Sequence, residues 1–368
     1  MKEIKSIIKL YNSSVGLQEK SAIAQVVRLE ESSYRREGAR MLVFESGVFE
    51  GGISGGCLEG DALQRSQIAI LKQEPSIVTY DTSKDKEIGV GLGCNGIIDV
   101  LISPITEDAT AIKQLERCLA NRREHIIITI TAVSGNDISV TLGQQFYYDT
   151  ATHTLESCEH PELAGFIHKN VAEVLEKKKS KTAHFTSESS KISVFIELIP
   201  PQFHLAIYGD NYDVYPMISL AEVLDWEVSL VGNIQKLKKE RLRSVAHIYL
   251  KDEEERPTID AHTAIILMAH DYKTDCENMA QLIDSPSPYI ASLGPKKRFV
   301  KMMNTFREER KPLSSQALSR IYAPCGLEIG ANTPEEIALS IFSEILTVFS
   351  GNSGGMLRLK EGPIHERV

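Results

Sequence analysis

The densest chemical signal in the chain is the run Gly51-Gly52-Ile53-Ser54-Gly55-Gly56-Cys57-Leu58-Glu59-Gly60. Glycines at 51, 52, 55 and 56, ahead of an expected helix start near Glu59, let the backbone turn tightly and bring several N–H groups towards one point. Chains hold phosphate and other anions in this way. Cys57 would sit beside whatever is held, and the positive end of a helix favours a thiolate. The same residues also read as a glycine-rich strand connection with a buried cysteine. Gly91-Leu92-Gly93-Cys94-Asn95-Gly96 repeats the theme at the start of an expected strand. Arg35, Arg36 and Arg40 flank Gly38; they can supply cations to an anionic ligand, or they are solvated surface charges.

The six cysteines are Cys57, Cys94, Cys118, Cys158, Cys276 and Cys325, and no two are close in sequence. Zinc and iron–sulfur sites usually need paired cysteines one tight turn apart, so neither is expected, and no metal-ligand set or catalytic residue is assigned. Cys118, Cys158 and Cys276 read as small buried apolar residues. Forty-one basic against fifty acidic residues give a net charge of −9, which disfavours binding to nucleic acid or an anionic membrane. The longest apolar runs, such as Ile126 to Ile130 and Ala264 to Met268, fall far short of the roughly 20 residues of a membrane span. The N-terminus lacks the apolar core of a signal peptide, so a cytoplasmic location is expected.

Two domains are expected from the 368 residues. Ile4, Ile7, Ile8 and Tyr11 mark an amphipathic first helix. Strands are expected at Ala22 to Leu29, Met41 to Phe44, Ile97 to Ile102, Ile126 to Ala132, Ser139 to Leu142, Gln145 to Tyr148 and Ser193 to Leu198, with helices near Glu59 to Leu71 and Ala109 to Ala120. A Lys-rich helix end falls at Lys177 to Lys181. Pro200-Pro201 punctuates the chain as a linker. Beyond it, strands at His204 to Tyr208, Glu227 to Val231, His247 to Leu250, Ala264 to Met268 and Tyr289 to Leu293 alternate with helices, which predicts a parallel sheet. Thr333, Pro334 and Glu336 form a capping box for a last helix that buries Ile337, Ile341, Ile345 and Val348. The expected division is 1–200 for a mixed α/β domain, 203–350 for a Rossmann-like domain and 351–368 for a poorly ordered tail. No internal repeat is visible.

The stretches GARMLV, GGISGGCLEGDA and GVGLGCNGIIDVLI resemble the N-terminal domain of the xanthine dehydrogenase accessory family, XdhC/CoxI. TAIILMAHDYKTD, YIASLGPKKR and PCGLEIGANTPEEIALSI are similar to that family's Rossmann-like domain. The resemblance implies a maturation factor that binds the molybdenum-pterin cofactor as cargo and delivers it, after sulfuration, to an apo molybdenum hydroxylase. A cysteine desulfurase is a further expected partner and a homodimer the expected assembly. Carried over residue by residue, Gly52, Ser54, Gly55, Gly56, Cys57 and Glu59, with Gly93 and Cys94, form the implied ligand-binding set.

The dinucleotide fingerprint of the second domain is degraded. After the strand ending at Tyr208 comes Gly209-Asp210-Asn211-Tyr212-Asp213-Val214, where a G-x-G-x-x-[GA] turn would let a pyrophosphate approach a helix N-terminus. Asn211 and Val214 replace small residues, and Asp210 and Asp213 add negative charge. Val231-Gly232-Asn233 also lacks the acid that would hold a ribose. NAD(P) binding is therefore not expected, which counts against the competing reading of the chain as an NAD(P)-dependent Rossmann oxidoreductase. His270-Asp271 and the cluster Lys296, Lys297 and Arg298 remain open, as ligand contacts or as turn, cap and solvated charges.

Overall fold

The computed structural model describes residues 1–14, 19–31, 35–81, 96–135, 139–188, 190–251, 253–309 and 312–361. It divides into two compact units, Met1–Pro201 and Gln202–Ile364.

In the first unit α1 (Lys2–Ser14) buries Ile4, Ile7 and Ile8. It leads into β1 (Ser21–Glu31), β2 (Arg40–Phe44), β3 (Phe49–Gly51), α2 (Glu59–Lys72), β4 (Ser76–Asp81) and β5 (Gly96–Pro104). The strands form an antiparallel sheet in the order β3-β2-β1-β5-β4. Ala62, Ala69 and Ile70 of α2 pack onto one face, over Ala24, Val26, Met41 and Val100. The chain then continues through α3 (Thr110–Ala120), β6 (His125–Ser134), β7 (Gln145–Asp149), β8 (Thr154–Leu155), α4 (Pro161–Lys177), β9 (Lys181–Thr186) and β10 (Lys191–Ile199). This second sheet has the order β8-β7-β6-β10-β9. Helix, three strands, helix and two strands are therefore used twice, with the same strand order.

Local detail follows the same duplication. The register of β1 against β5 shifts between Val26 and Arg28, and that of β6 against β10 shifts between Ile130 and Ala132. Gly38 donates its N–H to Val26 O at 2.8 Å, and Gly143 donates to Ile130 O at 2.9 Å. Both glycines have positive φ, 88° and 78°. A Cβ on Gly38 would lie 2.6 Å from Glu197 Oε1, and one on Gly143 would lie 2.8 Å from Ser103 Oγ, so both turns need glycine. Arg40 pairs in register with Gln25, and Gln145 with Thr129. Arg40 and Gln145 are counterparts, as are Glu197 and Ser103. The expectation of no internal repeat is thus corrected: strand order, bulge and turn geometry are repeated, while residue identities match only at scattered positions, such as Gly38 with Gly143.

The counterparts have diverged in chemistry. Arg40 and Glu197 form a buried ion pair, each side chain about 6% exposed. Gln25 donates to the same carboxylate at 2.9 Å, and Arg40 also donates to Gly38 O at 2.8 Å. Arg40 is therefore neither a ligand cation nor a solvated charge. Arg35 pairs with Glu3, and only Arg36 of the three is exposed. The expected strand at Ser139 to Leu142 does not form; residues 142 and 143 make the turn into β7, with Gly143 in the left-handed region. The Lys-rich helix end stops at Lys177, because Lys178 turns left-handed and Lys181 opens β9.

In the second unit β11 (His204–Tyr208), β12 (Glu227–Gly232), β13 (His247–Leu250), β14 (Thr263–Leu267), β15 (Tyr289–Ser292) and the short β16 (Ile321–Tyr322) form a parallel sheet, ordered β13-β12-β11-β14-β15-β16. Helices α5 (Val214–Leu224) and α9 (Pro334–Ser350) pack against one face. Helices α6 (Tyr272–Leu282), α7 (Lys296–Glu309) and α8 (Ser315–Leu318) cover the other. This explains why HLAIY, TAIIL and YIAS are buried throughout, as strands of a sheet covered on both faces must be. The Rossmann-like parallel sheet expected from the sequence is present, and the capping box of α9 forms as predicted, with Ile341 and Ile345 buried and Ile337 and Val348 partly so. In the expected tail, Leu357–Leu359 make one 3-10 turn, and residues 362–368 lie outside the described residues.

Arg40→Ala should destabilise the first unit by about 3–5 kcal/mol, because it strands Glu197 as an unpaired buried charge. The double variant Arg40→Met/Glu197→Leu should recover most of that loss. Urea unfolding of both variants checks this, and equal losses in the two would refute it.

Candidate functional site

The glycine-rich run links β3 to α2, and its geometry is organised around one hydroxyl. Gly52 donates its N–H to Arg40 O at 2.8 Å, and Ile53 and Leu58 are buried under α2. Between them, Ser54 Oγ accepts the N–H groups of Gly56, Cys57 and Leu58 at 3.2, 3.1 and 3.1 Å. The residue preceding α2, Leu58, has no capping side chain, so Ser54 takes over part of the capping from four residues upstream. Ser54 in turn donates its hydroxyl proton to Glu59 Oε2 and its N–H to Glu59 Oε1, the latter at 2.8 Å. Burial pushes the Glu59 carboxyl up, but hydrogen bonds from the Ser54 hydroxyl and from the backbone of Ser54, Glu59 and Gly56 outweigh it and hold it below the usual range.

Of the implied binding set, Gly52, Ser54, Gly55, Gly56, Cys57 and Glu59 thus share one loop. Gly93 and Cys94 lie outside the described residues. Three of the loop's N–H groups already point at Ser54 Oγ, and an ionised carboxylate stands beside them. The loop exposes the Cys57 thiol, while Ser54 and Glu59 are half-buried and bonded to each other. Cys57 is exposed, with Sγ 3.8 Å from Ser54 Oγ, and nothing would meet a Cβ built on neighbouring Gly56. Cys118 and Cys276 are buried as expected, and burial pushes the Cys118 thiol up to about 12. Cys158 is only half buried, against the edge of the α4 core. No group of three potential metal ligands occurs among the described residues.

In the second unit the degraded turn is filled by its own side chains. Gly209 is needed because a Cβ would lie 2.5 Å from the carbonyl of Met268, the residue after β14. Asp210 accepts the N–H of Asn233 and the Lys236 ammonium, both at 3.0 Å, which ties the end of β11 to the chain after β12. Asn211 donates to Ala269 O at 3.4 Å, and Asp213 pairs with His270 across the gap between β11 and β14. That gap is the topological switch point, where open α/β sheets place ligands. Asp271 caps α6 by accepting the N–H of Thr274 at 2.8 Å. Arg298 is committed to the fully buried Asp275, which also accepts the N–H of Ala269 at 3.1 Å. Sequence reasoning missed the Arg40–Glu197 and Arg298–Asp275 pairs, since partners 157 and 23 residues apart leave no local pattern.

The fold and these sites define a two-unit α/β protein: a duplicated antiparallel unit with an exposed cysteine loop, and a Rossmann-type unit with a self-occupied nucleotide turn. Residues 16–81 match the XdhC and CoxI family, and residues 205–345 match the XdhC Rossmann domain. The chain belongs to the XdhC and CoxI family. A probable xanthine dehydrogenase subunit of Bacillus subtilis is 26% identical over 338 residues, 89% of this chain and 93% of that protein. An uncharacterized protein, YqeB, of Escherichia coli is 33% identical over 89 residues, 24% of this chain and 16% of its own length. The crystal structure of a xanthine dehydrogenase from Bacillus halodurans has the same fold, with a TM-score of 0.71 and 24% identity, and the match covers 94% of this chain and 96% of that one. No helix among the described residues is long and apolar enough to cross a membrane.

A depressed Glu59 pKa means that its bonds to the loop contribute stability above the unfolded carboxyl value, and that this contribution fades as pH falls through the lower folded value. Hydrogen-exchange protection of residues 54–59, corrected for the intrinsic pH dependence of exchange, should therefore fall in acid more than protection elsewhere in the unit. Glu59→Gln should remove this excess, and an unchanged profile would refute the assignment. Calorimetry should detect no micromolar affinity for NAD or NADP, and measurable tight binding would overturn the reading of the filled turn.

Proposed function

We propose that this protein is an accessory factor for a molybdenum hydroxylase of the xanthine dehydrogenase type. In this reading it holds the molybdenum-pterin cofactor as cargo at the Gly51–Gly60 loop and passes it, once sulfurated, to the apo-enzyme. The observation that carries the reading is Cys57: it is the one exposed cysteine among the described residues, and it stands on a loop within the segment matching the XdhC and CoxI family. The two Bacillus relatives, both named for xanthine dehydrogenase, support that context.

The chemistry of the loop suits such a cargo. An exposed thiol is a soft donor towards a metal–sulfur centre. The Glu59 carboxylate is half-buried and held in its charged form, and it can share its oxygens with the N–H donors of a pterin ring. Ser54 holds the loop so that Cys57 is presented outward. Residues 1–200 act as the cargo domain and 203–350 as the surface for the client enzyme, a cysteine desulfurase or a second copy of the chain, in the cytoplasm. Binding and delivery, rather than catalysis, are the activity. With Asp210 and Asp213 engaged inside the nucleotide turn, nothing favours a nicotinamide-dependent oxidoreductase.

Cys57→Ala should cut molybdenum and pterin retention at least several-fold in protein co-expressed with the cofactor pathway, while leaving the unfolding midpoint unchanged. Metal and pterin analysis of purified protein measures this. Full retention by a folded variant would sink the role given to Cys57.

A further inference from the structure

The duplicated unit contains a cavity of about 670 Å³ between its two sheets. It is separate from the cysteine loop. The loop packs with α2 on one face of the first sheet, through Ile53 and Leu58, whereas the cavity is lined by Ile23, Gln25 and Leu101, which point from the other face. The opposing wall comes from Ile127 and Gln145 of the second sheet. Its volume lies within the roughly 300–1,000 Å³ usual for small-molecule sites.

The duplication explains why there is space here. At one of the two equivalent seams between the copies, Arg40 of the first copy and Glu197 of the second fill the space with a long ion pair bonded to Gln25. At the other seam the counterparts are Gln145 of the second copy and Ser103 of the first, and Gln145 Nε2 donates to Thr129 Oγ1 at 3.3 Å. Gln145 Oε1 and Ser103 Oγ are both buried and have no hydrogen-bond partner among the described residues. Leaving a buried polar atom unpaired costs about 1–3 kcal/mol, so two in one cavity wall need an explanation.

From this geometry we infer that the cavity binds a neutral fused-ring lactam, a flat heterocycle carrying an N–H beside a C=O, such as an oxopurine. Each feature of the ligand answers one of the wall. The amide oxygen of Gln145 requires a donor, and the Ser103 hydroxyl can donate to a carbonyl or accept from an N–H. Among the described residues Arg40 is the only formally charged one in the lining, and its charge is already neutralised by Glu197, so among them an anion would gain no free cation and a cation no free carboxylate. Ile23 and Leu101 facing Ile127 make apolar walls across the narrow layer between packed sheets, which suits a planar ring. Thr106, Thr141 and Ser157 are exposed lining residues and provide a polar mouth. This site is independent of the cargo reading and stands or falls apart from it.

Calorimetry of the full chain with hypoxanthine as the probe tests the inference, with AMP as the anionic comparison. Hypoxanthine should bind saturably at one site, and AMP at least tenfold more weakly. Ser103→Ala and Gln145→Leu should each weaken hypoxanthine binding about tenfold, one lost hydrogen bond apiece. Thr110→Trp or Gln144→Trp, which place an indole in the cavity from its rim, should abolish binding without lowering the unfolding midpoint. Cys57→Ala should leave binding unchanged, which separates this site from the loop. No saturable binding up to the solubility limit of hypoxanthine, equal or tighter binding of AMP, or full affinity in the folded tryptophan variants would overturn it.

Discussion

The first unit is organised about one buried contact, the ion pair of Arg40 with Glu197. Two charges held almost out of water tolerate no other arrangement, because either left alone would carry a desolvation penalty of several kcal/mol. Arg40 belongs to the first copy of the duplicated fold and Glu197 to the last strand of the second. Their pairing fixes how β2 of one sheet meets β10 of the other. Gln25 and the Gly38 carbonyl complete the bonding, and the absence of a side chain on Gly38 lets Glu197 approach. The cysteine loop hangs from the same residue, since the Arg40 carbonyl accepts the N–H of Gly52.

Duplication turns that contact into a comparison. The same turn, the same bulge and the same strand order occur in both copies, yet at the second seam Ser103 of the first copy and Gln145 of the second replace the charged pair. A small hydroxyl and a neutral amide leave room where an arginine and a glutamate fill it. One seam between the copies has become a structural clamp while its equivalent retains space and unpaired polar atoms. The cysteine loop shows a similar divergence, with its glycines and Ser54 in the β3–α2 connection only; the connection from β8 to α4 carries Cys158 and His160, and His160 caps α4 by accepting the N–H of Leu163.

In the second unit the constraint is electrostatic in the opposite sense. The strand order preserves a switch point between β11 and β14, but Asp210, Asn211 and Asp213 spend their hydrogen bonds on Asn233, Lys236, Ala269 and His270. Those bonds knit the carboxyl ends of the strands together. The fold keeps the shape of a nucleotide-binding domain, while its acidic side chains occupy the space and oppose the charge of a pyrophosphate.

How much of this was legible before folding depended on the range of the interactions involved. Apolar alternation and strand–helix spacing gave the five main strands of the parallel sheet to within a residue or two, and Thr333, Pro334 and Glu336 placed the last helix, because those signals are local. The run 51–60 marked the exposed cysteine loop for the same reason, as did the loss of glycines after Gly209. The sequence by itself determined the Rossmann-type sheet, the loop and the damaged fingerprint. Only the tertiary structure decided that Arg40 is a buried clamp, that Ser54 gathers the loop's donors, that the first unit is one fold used twice, and that a cavity lies between its copies. Each of these depends on atoms brought together from distant segments or on the burial of particular faces, and a repeat carried by strand order and turn geometry leaves only scattered matching letters.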